Sequence, residues 1–137
     1  MTDYIFGTTY QIFGTVLPTH PTRCVIIVDK DLPIGRLVNA AAVTALTIGQ
    51  RHPGLIPIGI AVLAASQDEL PDIRRKGLEA GCDVIDFPVE GQQTTNYQAF
   101  REAVAAIQPE EMRYAGIALV GEKKEISKIV GNLRLLK

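Results

Sequence analysis

The most constraining stretch of the chain is an unbroken apolar run, Cys24-Val25-Ile26-Ile27-Val28. A strand with one wet face alternates apolar and polar residues. A run without alternation marks a strand covered on both faces, as in a sheet with helices on either side. A short charged loop follows, Asp29-Lys30-Asp31-Leu32-Pro33, and Pro33 ends the extended segment. Gly35 frees the backbone before a helix expected over residues 36–49. Apolar residues wrap most of that helix, which predicts cover on both of its sides. The sheet supplies one side. Another helix or a second subunit supplies the other.

The same alternation of strand and helix continues to the end. Strands are expected at 58–63, 83–87 and 114–120. Ser66 opens the second helix with Glu69 as its capping box, or the helix starts nearer Pro71. Leu70, Ile73, Gly77 and Leu78 share its inner face, Arg74, Arg75 and Lys76 face water, and Gly81 stops it. A polar loop at 88–95 leads to Asn96, which caps a helix carrying Tyr97, Phe100, Val104 and Ile107; Pro109 ends it. The last helix, 122–130, turns Ile126, Ile129 and Val130 inward, and Leu133, Leu135 and Leu136 dock the tail. This order predicts an α/β three-layer sandwich, a four-stranded mixed sheet with helices on both faces.

With 137 residues there is little room for a second domain, and residues 24–137 read as one unit. Residues 1–23 read as an N-terminal extension. There Ile5-Phe6-Gly7-Thr8 recurs as Ile12-Phe13-Gly14-Thr15. Aromatic and β-branched residues broken by glycine predict a short β-ribbon. A bare ribbon is marginal in water, so it packs on this domain or on a second subunit. A homodimer is the expected assembly.

Several functions are excluded by what the chain lacks. No apolar run reaches the roughly 18 residues of a membrane span. The first residues lack the basic start of a signal peptide, so a cytoplasmic location is expected. Cys24 and Cys82 sit in or beside strand-like runs and read as two buried free thiols rather than a disulfide framework. No Cys or His cluster has zinc-ligand spacing, and no metal or cofactor is expected. A net charge of −1 is not that of a dedicated nucleic-acid binder. Residues 122–137 are locally basic, with five basic and two acidic side chains, and read as a solvated helix face. His20 and His52 lie in Pro-flanked loops, where nothing in the sequence positions a catalytic base. The one glycine of segment 31–36 does not make a phosphate-cradling loop.

What remains is a polar set where the first strand meets the first helix. Asp31 follows the strand, and Gly35, Arg36 and Asn39 open the helix. Backbone N–H groups lack partners there, and an Arg beside them suits an anion or a developing oxyanion. Asn39 on so apolar a helix is costly unless hydrogen-bonded. The plainer alternative pairs Arg36 with Asp31 and satisfies Asn39 on nearby backbone. The amide and hydroxyl side chains of 92–96, Thr94 and Thr95 among them, form a second candidate for a polar ligand.

Two resemblances follow from these residues. Val25-Ile26-Ile27-Val28, Asp31-Leu32 and Gly35-Arg36 before an Ala-rich helix resemble the start of the second type of peptidyl-tRNA hydrolase. Ile117-Ala118-Leu119-Val120-Gly121 and the stretch from Ile126 to Leu136 resemble its end. Asp31-Leu32-Pro33 and Asn39-Ala40-Ala41-Ala42, with the insertion at 92–112, are similar to DUF2000, a bacterial family of uncharacterised proteins. The hydrolase likeness implies an ester-cleaving site, with Arg36 where the hydrolases carry Lys, Asn39 near their helix Gln, and Glu90 and Thr94 nearest their Asp and Thr. Arg keeps the charge of Lys but does not readily give up a proton, so it holds an anion and does not act as a base. Three readings result: a binder or processor of a small anionic ligand at this junction, a hydrolase of peptidyl- or aminoacyl-tRNA, and a non-enzymatic oligomer.

Overall fold

The computed structural model describes residues 11–12, 15–16, 23–53 and 59–137. In chain order the strands are β1 (Gln11–Ile12), β2 (Thr15–Val16), β3 (Arg23–Asp29), β4 (Ala61–Ala65), β5 (Asp83–Pro88), β6 (Tyr114–Gly121) and β7 (Arg134–Leu135). The helices are α1 (Ile34–Arg51), α2 (Leu70–Glu79), α3 (Glu90–Gln93), α4 (Tyr97–Ala105) and α5 (Lys123–Val130). β1 and β2 pair antiparallel as a two-stranded ribbon. The rest of the sequence before Arg23, with the first of the two repeats, lies outside the described residues, as does residue 58, where the second strand was expected to begin.

The main sheet is mixed, in the order β5-β6-β3-β4-β7. β3 runs parallel to β4 and antiparallel to β6. The sheet therefore has five strands, not the four that the sequence predicts. The fifth is β7, which pairs Leu63 with Leu135 and Ala64 with Arg134. Two residues are too few to show a period in the sequence, so the tail reads only as docked.

The apolar run behaves as expected. Val25 and Ile27 enter one core with Leu70 and Ile73 of α2 and Ile126 and Val130 of α5. Cys24, Ile26 and Val28 enter the other with Leu37, Ala40 and Ile48 of α1. β6 is buried along its whole length beside β3. Both cysteines are free and buried, and burial pushes the Cys24 thiol up to about 11.

Several local expectations need correction. α1 is longer than predicted and buries only the stripe Leu37, Ala40, Thr44 and Ile48. Ile34, Val38 and Leu46 on its other side are exposed in the single chain, so among the described residues no second helix supplies the expected cover. Helical periodicity shows that a face is apolar; it does not show what covers it. Leu78 is exposed too, while Arg74 is half-buried, donating from Nε to Asp86 at 2.7 Å over the Tyr114 ring. Glu69 caps Ser66 as expected, accepting from its N–H at 2.9 Å, but the helix proper begins at Leu70. Gly81 ends α2 at φ +79°, the left-handed region that favours glycine.

The turn after α1 is the largest departure. His52, predicted as a loop residue that nothing positions, is buried, with Nε2 2.7 Å from Asp83 Oδ2. Arg51 Nε donates to the same oxygen at 2.9 Å. Asp83 opens β5, so this cluster pins the end of α1 to the edge strand of the sheet. Burial pushes the Asp83 carboxyl up, but the hydrogen bonds from His52 and Arg51 outweigh it and hold the pKa below the ordinary 3.8. A carboxyl whose pKa falls on folding stabilises the fold above its unfolded pKa and loses that contribution as pH drops through the folded value. Asp83→Asn is therefore expected to destabilise the protein by about 3 kcal/mol at neutral pH. Urea denaturation should show the gap between wild type and variant narrowing below about pH 4. A gap that stays constant down to pH 2 would contradict this account.

Candidate functional site

The two candidate regions of the sequence meet in space. β5 runs parallel to β3, because both are antiparallel to β6. The end of β5 thus lies at the edge of the sheet where α1 begins. There the chain turns through Val89, whose N–H donates to the Arg113 carbonyl at 3.0 Å, into the short helix α3. A helix of four residues replaces the loop expected at 88–95. Thr94 closes it by donating its hydroxyl to the Glu90 carbonyl at 2.8 Å. Asn96 then caps α4 as predicted, accepting from the Ala99 N–H at 2.8 Å.

Gln92 ties this arm to α1. Its side-chain amide donates to the Arg36 carbonyl at 2.8 Å and to Asn39 Oδ1 at 3.2 Å. The tie satisfies Asn39 from the arm rather than from nearby backbone. It leaves the Asn39 amide nitrogen, a two-proton donor, without a partner among the described residues.

A cavity of about 480 Å³ lies between α1, β5 and α4. Val43, Ile85, Phe87 and Phe100 form its apolar wall, and Asn39, Thr47, Thr94, Thr95 and Asn96 bring its polar groups. Gly91 is the close approach that shapes it. A Cβ there would run into the Phe87 ring, so only glycine lets that ring lie against α3. Thr44 and Thr47 also line the cavity, with hydroxyls returned to the Ala40 and Val43 carbonyls at 2.8 and 2.9 Å. Asp86 is the one charged residue on the lining among the described residues, and Arg74 pairs its carboxylate.

The predicted site residues divide as follows. Asn39, Thr94 and Thr95 line the cavity. Glu90 sits beside it, with carboxylate atom Oε1 enclosed and without a hydrogen-bond partner among the described residues. Arg36 is exposed one turn before Asn39, on the same side of the helix, and its guanidinium makes no ion pair among the described residues. Asp31 and Gly35 are exposed and lie off the cavity lining. The expected Asp31–Arg36 pair is not formed; the Asp31 N–H instead donates to Asp29 Oδ1 at 3.0 Å.

Residues missed by sequence reasoning are of two kinds. Val43 and Thr47 follow Asn39 at four-residue steps, so the helical period was the available signal. Asp29 and Gln67 gave none. Buried Asp29 accepts from Gln67 Nε2 at 3.0 Å, while Gln67 also brackets the Tyr114 backbone, accepting from its N–H at 2.9 Å and donating to its carbonyl at 2.7 Å. Among the described residues, no group of three or more His, Cys, Asp or Glu side chains is placed to hold a metal ion. No helix among them is long and apolar enough to cross a membrane.

Comparison with known proteins gives a family and a fold. The model of the family DUF2000, described as a protein of unknown function, matches residues 22–137. The solved structure of a protein of unknown function from Agrobacterium tumefaciens is similar at a TM-score of 0.73 and 21% identity, over 82% of this chain and 96% of that one. No curated protein matches the sequence.

Proposed function

The chain belongs to the DUF2000 family of proteins of unknown function, and from that premise we propose that it binds a small ligand in the cavity between α1 and α4. The cavity itself carries the reading. Its volume of about 480 Å³ suits a small molecule. Its wall is apolar, and its polar groups are amides and hydroxyls. A ligand with an apolar body and an electron-rich end fits that division. Asn39 donates to a carbonyl or carboxylate oxygen, and Arg36, one turn away, adds to the attraction when that end is anionic.

The dye 8-anilinonaphthalene-1-sulfonate has this shape, with apolar rings and one anionic group. It is expected to bind the folded protein with one-to-one saturation. Thr47→Trp fills the cavity and should abolish the fluorescence gain while leaving the circular dichroism unchanged. Arg36→Ala should weaken binding about two- to fivefold, as for an exposed charge pair. Equal dye binding by wild type and Thr47→Trp would contradict the reading.

A second reading has a specific support in the enclosed carboxylate oxygen Oε1 of Glu90, which has no hydrogen-bond partner among the described residues. It makes the protein a hydrolase of peptidyl- or aminoacyl-tRNA esters. Arg36 grips phosphate or the oxyanion, Asn39 orients the carbonyl, Thr94 or Thr95 holds the attacking water, and Glu90 takes its proton. On this reading, purified protein releases peptide from peptidyl-tRNA, and Glu90→Gln lowers the rate at least a hundredfold. Absence of turnover at high protein concentration rules the hydrolase out and leaves the binding domain.

A further inference from the structure

One wall of the cavity is the free edge of the sheet. Among the described residues β5 is the outermost strand, and its ladder partner is β6 alone. Among the described residues, nothing outside that ladder hydrogen-bonds the backbone of Ile85, Asp86 or Phe87. These three consecutive residues all line the cavity. Successive side chains of a strand point to opposite faces, so a cavity on one face meets Ile85 and Phe87 but not Asp86. The Asp86 carboxylate is indeed turned to Arg74 of α2, which packs on the other face. The cavity therefore meets Asp86 through its backbone and runs along the outermost strand, whose alternate residues point N–H and C=O groups away from β6.

The opposite wall matches that edge in chemistry. Asn39 and Asn96 bring amides, Thr94 and Thr95 bring hydroxyls, and the lining presents no unpaired charge. Phe87 and Phe100 add aromatic surface to the lining. Such a wall suits amide groups on one side and an apolar side chain on the other. Edge strands left open in this way accept extended peptides as an added strand.

We propose that the ligand is a short, uncharged peptide segment in extended form, paired along β5 as a sixth strand, with an apolar side chain between Phe87 and Phe100. The proposal rests on the cavity being the ligand site and names the class of ligand it takes. Backbone pairing supplies affinity, and the cavity selects the side chain.

The test uses the full-length protein, with the anilinonaphthalene dye bound and pools of acetylated hexapeptide amides as competitors. Each pool is built from uncharged residues with Phe, Leu or Ile fixed at one position. Such pools are expected to displace the dye. In the best peptide, N-methylation at every second residue should raise the half-displacing concentration at least tenfold, and at the intervening residues it should change that value less than twofold. If the dye binds and no pool displaces it, the peptide proposal is wrong and the cavity reading stands. Displacement indifferent to which amides are methylated also overturns it, because pairing with a strand edge uses alternate amides. If the dye does not bind, the cavity reading falls first.

Discussion

The structure depends on burying β3 on both faces. Its apolar residues cannot be satisfied by one helix layer. α1 is needed on one side, and α2 with α5 on the other. Once β3 is central, its partners follow. β6 shields one edge along its full length and β4 the other. The cavity is a consequence of this arrangement. α1 starts where β3 ends, and β5, parallel to β3 at the sheet's margin, ends beside it.

Two polar clusters then fix what the apolar layers leave loose. Arg51, His52 and Asp83 lock the far end of α1 to the start of β5. Gln92 locks the near end of α1 to the arm that follows β5. The helix and the edge strand are tied at both ends, and the cavity opens between them and α4. A pocket between elements held this way is largely preformed, which lowers the ordering cost of binding.

The central layers were legible in the sequence, because Val25 to Val28 and Tyr114 to Val120 are strands without alternation. The edges were not. β7 is too short to carry a period, and α3 lies in a polar stretch that resembles a loop. The exposed stripe of Ile34, Val38 and Leu46 shows the limit of pattern reading: an apolar helix face looks the same covered or uncovered. The site was half legible. Asn39, Thr94 and Thr95 stood out as polar residues in costly or crowded places, and they share the cavity lining. Phe87 and Phe100 did not stand out, since an apolar residue facing a cavity has the same spacing as one facing a core. Asp83 and its partners were invisible because they are joined across about thirty residues of chain, with no local signal.

The central claim is that the space between α1 and α4 is a ligand site. Amide chemical shifts mapped during titration with the anilinonaphthalene dye test it most directly. The account predicts that the changes concentrate on Asn39, Val43 and Thr47, on Ile85 to Phe87, and on residues 94–100. Changes centred instead on the exposed stripe of α1, or scattered over the surface, would contradict it.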